Sequence, residues 1–481
     1  MNPMTVQNRT GVLLACVTAA LLQGCVHNLS VSQPTLPADY RNAAATQMET
    51  AHDEWWDTLG DPELSKLMSR GLRENLDLEA AGARIAAARA RMGIADSRSL
   101  PQLDASARSS REKMSENGLL LSSGGGAAFP DTYTLTTSGL DASWELDLFG
   151  AHAAERRKAA AGHREAMADR AAVRLSLTAE IARVYVEHIA YAQQLTSARE
   201  VLELSEQSLQ LAEQQYDNGA VPAADVTSAE LALEHARESV ASLRAETEAR
   251  RHAMGVLVGT GEYVVLPEQS PMLGAELQTA KAQISVDMGL PSDLLRRRPD
   301  IRQAEAQFET AVADRSIAVA DQYPRFSILA SGGFESLERG SLFESASRFW
   351  ALAPQVSVPL FDGGRRKSVV KEREAQVSAA TATYRGAVVT ALADVEQAMI
   401  RHNGATNAMD SRVAALERAS ELLAHEQARF DQGDSAKPQL LAAQREYENH
   451  RQAAVEAKKQ ALLSLVTLYK ALGGDTEPAV S

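Results

Sequence analysis

The sequence predicts a mainly α-helical protein in which long helical hairpins are duplicated in tandem, together with four β-strands per chain. Three observations lead to this fold class: a composition typical of long helices, an internal repeat, and two different hydrophobic periods. The chain has 481 residues, of which 45% are hydrophobic and only 5% aromatic. Such an Ala- and Glu-rich composition favours long, closely packed helices over a β-sandwich or a doubly wound sheet.

The charge balance limits the possible partners. The chain carries 63 acidic and 49 basic residues, which leaves a formal net charge of −14. An acidic chain lacks the basic face that binding to a phosphate backbone requires, so no nucleic-acid partner is expected. Beyond the N-terminus, no segment reaches the roughly 18 to 20 apolar residues of a membrane-spanning helix, which excludes a helical membrane transporter.

Residues 1–24 are predicted to be a secretory signal peptide. Arg9 provides the positive start, and residues 11–22 form an apolar stretch too short to span a bilayer. The stretch ends in Leu22-Gln23-Gly24-Cys25, which resembles the bacterial lipoprotein cleavage box, in which the cysteine receives a lipid. We therefore expect a covalent lipid on Cys25 and no other cofactor; the alternative is an ordinary leader with an incidental cysteine. Cleavage before Cys25 also removes Cys16 and leaves no free thiol and no disulfide.

An internal repeat organises the rest of the chain. Four landmarks recur in the same order, and the last three keep a spacing of about 214 residues. We predict a lipid-anchored N-terminal segment (25–54), a first repeat (55–260), a connector (261–287), a second repeat (288–474) and a tail (475–481). The paired landmarks are Ser99-Leu100-Pro101-Gln102-Leu103 with Gln322-Tyr323-Pro324-Arg325-Phe326, Asp147-Leu148-Phe149-Gly150 with Pro359-Leu360-Phe361-Asp362-Gly363, Gln215-Tyr216-Asp217-Asn218-Gly219 with Arg429-Phe430-Asp431-Gln432-Gly433, and Leu257-Val258-Gly259 with Ala471-Leu472-Gly473.

Each repeat is predicted to contain a helix, a strand, a loop, a strand, a long helix, a tight turn and a final helix. In the long helices, mostly apolar residues recur at alternating steps of three and four, from Ile181 to Tyr216 and from Val395 to Phe430. This spacing is typical of a left-handed coiled coil. Since no proline lies between Ala153 and Tyr216, one helix could run for about 64 residues, on the order of 95 Å.

The strands show a period of two, with one apolar and one polar face. This pattern fits a transmembrane strand beside a wet lumen, and it fits a half-buried soluble sheet equally well. Each repeat has one hairpin, so a chain has four strands, which are too few to close a barrel. A membrane β-barrel portion would therefore need several chains, because every backbone group in a bilayer must find a partner. The alternating residues are Leu140, Ala142, Trp144, Leu146 and Leu148 in one strand and Val356, Val358 and Leu360 in another.

The sequence resembles the TolC-like outer-membrane efflux channels, especially the lipoprotein branch that works with resistance-nodulation-division pumps. The most specific segment is Leu290-Pro291-Ser292-Asp293-Leu294-Leu295-Arg296-Arg297-Arg298-Pro299-Asp300-Ile301-Arg302, supported by Pro359-Leu360-Phe361-Asp362-Gly363-Gly364-Arg365 and by two glycine turns. The resemblance implies a homotrimer whose chains contribute four strands each to one twelve-stranded barrel, continued by a helical tunnel across the periplasm. It also implies a periplasmic adaptor (membrane fusion) protein, an inner-membrane efflux pump and outer-membrane lipid as partners.

The resemblance assigns roles to the glycine turns, which match the periplasmic tips of two helical hairpins. In the family, such tips meet the adaptor and form the closed end of the channel. A glycine at positive φ ends a helix and lets the chain reverse. The residues expected at the adaptor contact are Gly219, Ala220, Val221, Gly433, Asp434 and Ser435.

The gate residues follow the family pattern at the first tip and depart from it at the second. Asp225 matches a gate aspartate, although it is equally explained as a first-turn carboxylate favoured by the helix dipole. Six and nine residues after the second glycine, where the family often carries aspartates, this chain has Gln439 and Ala442. Arg445 does match. We therefore expect no aspartate ring here, and a gate held closed by packing and hydrogen bonds around Gln439 and Arg445.

Other candidate sites have simpler explanations. His188 and His402 occupy equivalent seam positions and are expected to be inherited polar residues, not metal ligands. Residues 296–298 are expected to form a solvated turn that opens a helix at Pro299, with an anion site as the alternative. No catalytic or metal-binding motif occurs, so no enzymatic activity and no metal site are expected.

The predicted function is a passive, trimeric exit duct for small molecules such as drugs or other toxic compounds. It would be lipid-anchored in the outer membrane, extend into the periplasm, and open when the adaptor and pump dock. Two alternatives stay open at this point. One is an exit duct for type I protein secretion, and the other is a non-channel periplasmic coiled-coil scaffold.

Overall fold

A computed structural model describes residues 54–115, 132–274, 292 and 294–474 of the chain. Cys25, the predicted signal peptide and the predicted tail 475–481 lie outside the described residues. The described residues form seven helices and four strands, with a 3-10 helix at Trp55–Leu59, one helical turn at Leu294–Arg297, and two further 3-10 turns before the last strand. The elements are α1 (Pro62–Glu74), α2 (Leu76–Ser97), β1 (Gln102–Lys113), β2 (Thr132–Leu146), α3 (Ala151–Asp217), α4 (Ala223–Leu257), α5 (Pro299–Ala320), β3 (Arg325–Ser336), β4 (Arg348–Ser357), α6 (Arg365–Asp431) and α7 (Lys437–Ala471).

The long helices confirm the sequence prediction. Both α3 and α6 contain 67 residues. Ile181 and Val184 in α3, and Val395 and Ala398 in α6, are almost fully buried, as the seam of alternating three- and four-residue steps predicts. No helix in the described part of the chain is both long enough and apolar enough to cross a membrane.

Most equivalent elements of the two repeats have the same length, the exception among the strands being β2 with 15 residues and β4 with 10. Helices α2 and α5 have 22 residues, β1 and β3 have 12, and α4 and α7 have 35. Two offsets in residue number relate the repeats. Adding the long offset to the first residue number of α2 or β1 gives the first residue of α5 or β3, respectively. Adding the short offset to the first residue number of α3 or α4 gives the first residue of α6 or α7. By the short offset, Phe149 is equivalent to Gly363. The shared Leu-Phe letters at Phe149 and Phe361 therefore do not mark equivalent positions.

The described residues divide into two compact units, and each unit takes residues from both repeats. The first unit draws on Ala87–His163 and Ala306–Thr383, and it contains the sheet. The second draws on the described residues within 54–86, 164–305 and 384–474, and it contains the helical hairpins.

The sheet of the first unit is an antiparallel meander in the order β1-β2-β3-β4. β2 and β3 join the two repeats, with Ala142 opposite Ala330 and Leu146 opposite Phe326. Among the described residues, β1 pairs only with β2, and β4 only with β3, so each has one unpaired edge. One face of the sheet carries apolar residues in every strand, including Leu103, Leu140, Ala142, Ile328, Leu352 and Val356. The other face carries Asp104, Asp141, Glu145, Ser327 and Gln355.

The second unit has a core in which the start of repeat one packs on the helical hairpins. Trp55 and Trp56 are buried, and Trp55 stacks on Tyr469 at 4.9 Å between ring centroids. The buried Asp61 carboxylate accepts hydrogen bonds from the Tyr185 hydroxyl (2.9 Å) and the Ser270 hydroxyl. Asp61 also caps α1, because it accepts the N–H of Glu63 at 2.9 Å. One carboxylate thereby joins α1, α3 and the connector.

The segment around Arg298 differs from the sequence prediction. A helix does begin at Pro299, as predicted, but Arg298 is buried instead of solvated. Its guanidinium donates to the Asp300 carboxylate (2.7 Å), the Asp394 carboxylate (3.0 Å) and the Ala471 carbonyl (2.9 Å). A buried guanidinium is tolerated only when such partners compensate its lost hydration, and a linear sequence does not show Asp394 or Ala471 nearby.

Candidate functional site

The first tip, defined as residues 218–222, reverses the chain between α3 and α4. Gly219 has φ of 74°, in the left-handed region that favours glycine. The N–H of Ala220 donates to the Gln215 carbonyl, and the N–H of Gly219 donates to the Tyr216 carbonyl, both at 2.8 Å. This pair of bonds is a Schellman motif, which satisfies carbonyls that the helix end would leave unpaired. The predicted glycine-dependent turn is confirmed.

The second tip, residues 432–436, has the same backbone at the positions that the short offset gives. Gly433 has φ of 82°, and the N–H of Asp434 donates to the Arg429 carbonyl at 2.9 Å. The N–H of Gly433 donates to the Phe430 carbonyl at 3.0 Å. The duplication has therefore preserved both hairpin reversals at the level of individual hydrogen bonds.

The side chains of the two tips differ in chemistry. At the second tip, the Glu426 carboxylate pairs with Arg429 at 3.1 Å and accepts a hydrogen bond from the Ser435 hydroxyl. Arg429 also donates to the Asp434 carbonyl at 3.2 Å, and the Lys437 ammonium lies 5.7 Å from the ring centroid of Phe430. These contacts hold the charged side chains of the second tip in place within the chain itself.

The first tip instead exposes small side chains. Ala220 and Pro222 are exposed, and Val221 is half-buried. Sequence reasoning did not single out Glu426 or Arg429 as part of the second tip. Their spacing of three residues near the C-terminal end of α6 could have indicated this ion pair, because residues three apart are neighbours on a helix surface.

The predicted gate residues lie within the first three turns of the returning helices. Asp225 is exposed in the first turn of α4, and its N–H donates to the Pro222 carbonyl at 3.0 Å. Gln439 and Ala442 are exposed, whereas Arg445 is half-buried. Within the described part of the chain, neither Gln439 nor Arg445 makes a side-chain hydrogen bond or ion pair. The gate roles of these residues stay predictions.

The helix ends opposite the tips are tied down by equivalent contacts in both repeats. The Asn75 amide donates to the Leu257 carbonyl at 3.0 Å, and its counterpart Arg298 donates to the Ala471 carbonyl at 2.9 Å. Next to these bonds, Gly259 (φ 77°) approaches the Glu74 carbonyl so closely that a Cβ atom would lie 2.0 Å from its oxygen. Each hairpin is therefore fixed at its base, whereas its tip is exposed.

Burial and neighbouring groups shift the pKa values of several titratable groups inside the second unit. Burial alone would raise the pKa of Asp300, but the hydrogen bond and charge of Arg298 outweigh it and lower that pKa. Burial lowers the pKa of His188, whose ring nitrogens lie 3.4 Å from the Thr247 carbonyl and 3.1 Å from the Pro267 carbonyl. Burial also lowers the pKa of His402, which contacts the Ser464 hydroxyl at 3.0 Å. Among the described residues, no group of three or more His, Cys, Asp or Glu side chains could hold a metal ion.

Comparison with known proteins places this architecture among outer-membrane channels. Residues 67–260 and 290–474 match the family described as "Outer membrane efflux protein". The chain is 30% identical to the pyoverdine export outer membrane protein OpmQ of Pseudomonas aeruginosa, over 96% of both chains. It is 28% identical to the probable outer membrane lipoprotein SilC of Salmonella typhimurium, over 96% of this chain and 98% of SilC.

A solved structure shows the same fold. The open state of the Neisseria gonorrhoeae MtrE outer membrane channel superposes with a TM-score of 0.76 at 28% identity, over 93% of this chain and 98% of that one. The fold and the match define the class: a non-enzymatic outer-membrane channel that serves an efflux pump. The chain belongs to the outer membrane efflux protein family. This membership confirms the predicted family, channel function and outer-membrane location, and it excludes the scaffold alternative.

Proposed function

We propose that three copies of this chain form a lipid-anchored exit duct, the last stage of a tripartite efflux system. The observation that carries the proposal is the sheet, whose two long edges have no strand partner among the described residues and which exposes one apolar face. Unpaired strand edges are templates for pairing with another chain, and in a bilayer every backbone group needs a partner. Three four-stranded sheets would close a barrel whose apolar face meets lipid and whose polar face lines the lumen.

The lipid anchor is proposed at Cys25. The leader that precedes it has the features of a lipoprotein signal, and the relative SilC is named as a probable lipoprotein. Replacing Cys25 by Ser should leave export intact and abolish acylation. Radiolabelled palmitate is expected on the wild-type chain and absent from C25S, and a label on C25S would contradict the assignment.

The cargo is proposed to be small molecules. The relative OpmQ is named for pyoverdine export, which supports this cargo over the proteins of a type I secretion system. The duct itself has no energy source, so transport energy comes from an inner-membrane pump. Docking of the pump and its periplasmic adaptor shifts the hairpins from a closed to an open arrangement.

The adaptor contact is proposed at the first and second tips. Both tips are exposed ends of helical hairpins, and their backbones are ordered by Schellman motifs, so little conformational entropy is lost on docking. The small side chains of the first tip permit close backbone approach, whereas Arg429 and Lys437 at the second tip offer charges. The two tips thus provide different halves of one docking surface.

Site-specific crosslinking tests this assignment. Cysteines replace Ala220 and Asp434 one at a time, and a matched control replaces Glu238, whose side chain is 81% exposed on α4 away from the tip. We expect both tip variants, but not the control, to capture a periplasmic adaptor that mass spectrometry identifies as encoded with a pump. Equal capture by Glu238→Cys, or no adaptor at either tip, would show that the docking assignment is wrong.

A further inference from the structure

The boundary between the two repeats inside one chain provides a template for the boundary between two chains. β2 ends repeat one in the sheet and β3 begins repeat two, and their pairing runs from Thr136 opposite Ser336 to Leu146 opposite Phe326. β4 ends repeat two in the same way, and β1 begins repeat one. If copies assemble in a ring, β4 of one copy meets β1 of the next across an equivalent boundary.

The two hairpins are equivalent in register. In the first hairpin, Gln102 lies opposite Ser143, and in the second, Arg325 lies opposite Ser357. The two offsets that relate the helices also relate these pairs, the long offset between β1 and β3 and the short offset between β2 and β4. If the same relation holds between neighbouring copies, the two offsets carry the β2–β3 pairing onto the unpaired edges of β4 and β1.

We propose that β4 of one copy pairs antiparallel with β1 of the next copy, with Val356 opposite Ala107 and Ser357 opposite Ser106. Inside the chain, the equivalent of the Val356–Ala107 pair is Ala142 opposite Ala330. This inference rests on the proposed multi-chain barrel and adds the residue-level register of its subunit boundary. The pairing extends to Trp350 opposite Lys113.

The faces of the sheet agree with this register. Val356 lies on the apolar face, opposite Phe326, and Ala107 lies on the same face, two residues from Ala105, which is opposite Leu140. A slip of one residue would place the apolar side chains of β4 beside the polar side chains of β1, because side chains alternate with a period of two. Both edges expose apolar side chains in the single chain, with Leu103 at 66% and Val356 at 56% exposure.

A charged pair on the neighbouring helices supports the same boundary independently. Inside the chain, Lys158 of α3 pairs with Asp314 of α5 at 2.8 Å, across the junction between the repeats. The same offsets carry this pair onto Glu372 of α6 and Arg91 of α2 in the next copy. The charges are exchanged but still opposite. Both side chains are exposed, and within the described residues Arg91 has no ion-pair partner in its own chain.

Disulfide formation tests the register. Opposite residues in an antiparallel pair have Cα atoms about 4.5–5.5 Å apart, whereas diagonal ones are about 7–8 Å apart, beyond the usual reach of a disulfide. The variant V356C/A107C should therefore form covalent multimers on a non-reducing gel. The slipped variants V356C/A105C and V356C/S109C should form far fewer. Each single-cysteine variant measures the background.

The chain offers a matched control. In the variant A142C/A330C, the two cysteines occupy the equivalent intrachain positions, so they should form a disulfide within one chain under the same oxidation. If a slipped pair crosslinks better than V356C/A107C, the register is overturned while the multi-chain barrel stands. If no interchain pair crosslinks although the control does, the mass of the native assembly distinguishes two outcomes. Trimers would overturn only the register, and monomers would overturn the proposed function as well.

Charge exchange provides a second readout. Glu372→Arg should lower the temperature at which the detergent-resistant multimer dissociates, because it places two cations together. Adding Arg91→Glu should restore that temperature, since the pair is again opposite in charge. Failure of the double variant to recover, while the single variant is impaired, would overturn the predicted helix contact.

Discussion

Two glycines with nearly the same backbone conformation should respond very differently to alanine. Gly219 at the first tip and Gly259 at the base of the same hairpin have φ of 74° and 77°. A Cβ atom at Gly219 would meet nothing within 4 Å, whereas at Gly259 it would lie 2.0 Å from the Glu74 carbonyl oxygen. Replacing each glycine by alanine therefore separates backbone strain from steric overlap.

The expected magnitudes follow from these two effects. Holding alanine in the left-handed region costs about 1–2 kcal/mol, which is the whole expected effect of Gly219→Ala. Gly259→Ala adds an overlap with backbone that no side-chain rotation relieves, about 1–3 kcal/mol more. At the repeat equivalents, Gly433 has open space and Gly473 would meet Arg297 at 3.0 Å. The predicted order of destabilisation is therefore Gly219 and Gly433 least, Gly473 intermediate and Gly259 most.

Thermal unfolding of the purified multimer in detergent, followed by circular dichroism, measures this order as apparent Tm. Detergent-resistant multimers on gels provide a second readout from the same preparations. If Gly219→Ala and Gly259→Ala lower the apparent Tm equally, the contact with Glu74 has no energetic weight and the reasoning fails. Equal insensitivity of all four positions would refute the backbone-strain argument too.

Three further predictions concern the interior of the second unit. Because burial lowers the pKa of His188, the folded state binds fewer protons than the unfolded state, so stability should fall as pH drops below about 6.5 towards the folded pKa. The apparent Tm of His188→Gln should therefore depend less on pH than that of the wild type. An unchanged pH dependence would contradict this. Asp61→Ala leaves two hydroxyls without their acceptor and α1 without its cap, so the free energy of unfolding should fall by about 2–4 kcal/mol. Asp57→Ala, at an exposed position, is the control. If both variants lower Tm equally, the argument is refuted. Arg298→Lys should lower Tm because lysine keeps the charge but cannot bridge two carboxylates and a carbonyl, and Arg298→Ala should lower it further because the charge is lost as well. A Tm of Arg298→Lys equal to that of the wild type would show that the bridging geometry is unimportant.

Much of the fold could be predicted from the sequence because the governing signals are local. The uninterrupted periodicity before Tyr216 predicts a helix that the structure places at Ala151–Asp217. The glycines at 219 and 433 predict turns because few other residues adopt positive φ there. The tandem repeat was visible in the landmarks, although the Leu-Phe letters suggested an equivalence two residues away from the structural one.

The candidate site was less predictable. The positions of the two tips follow from the sequence, but the bonds among Glu426, Arg429 and Ser435 do not, since they depend on the path of the turn. Arg298 illustrates the same limit, because its burial depends on Asp394 and Ala471, which are distant in the chain.

The sequence alone determined the helical class, the alternating strands and the turn glycines, because each depends on residues within a few positions of one another. It also determined the duplication, because repeated segments can be compared as letters however far apart they lie in the chain. Only the tertiary structure decided which strands pair, in what register, and which edges remain open. It also decided that Gly259 touches a neighbouring backbone while Gly219 does not. These properties depend on distances between residues far apart in the chain, and such distances exist only after the chain has folded.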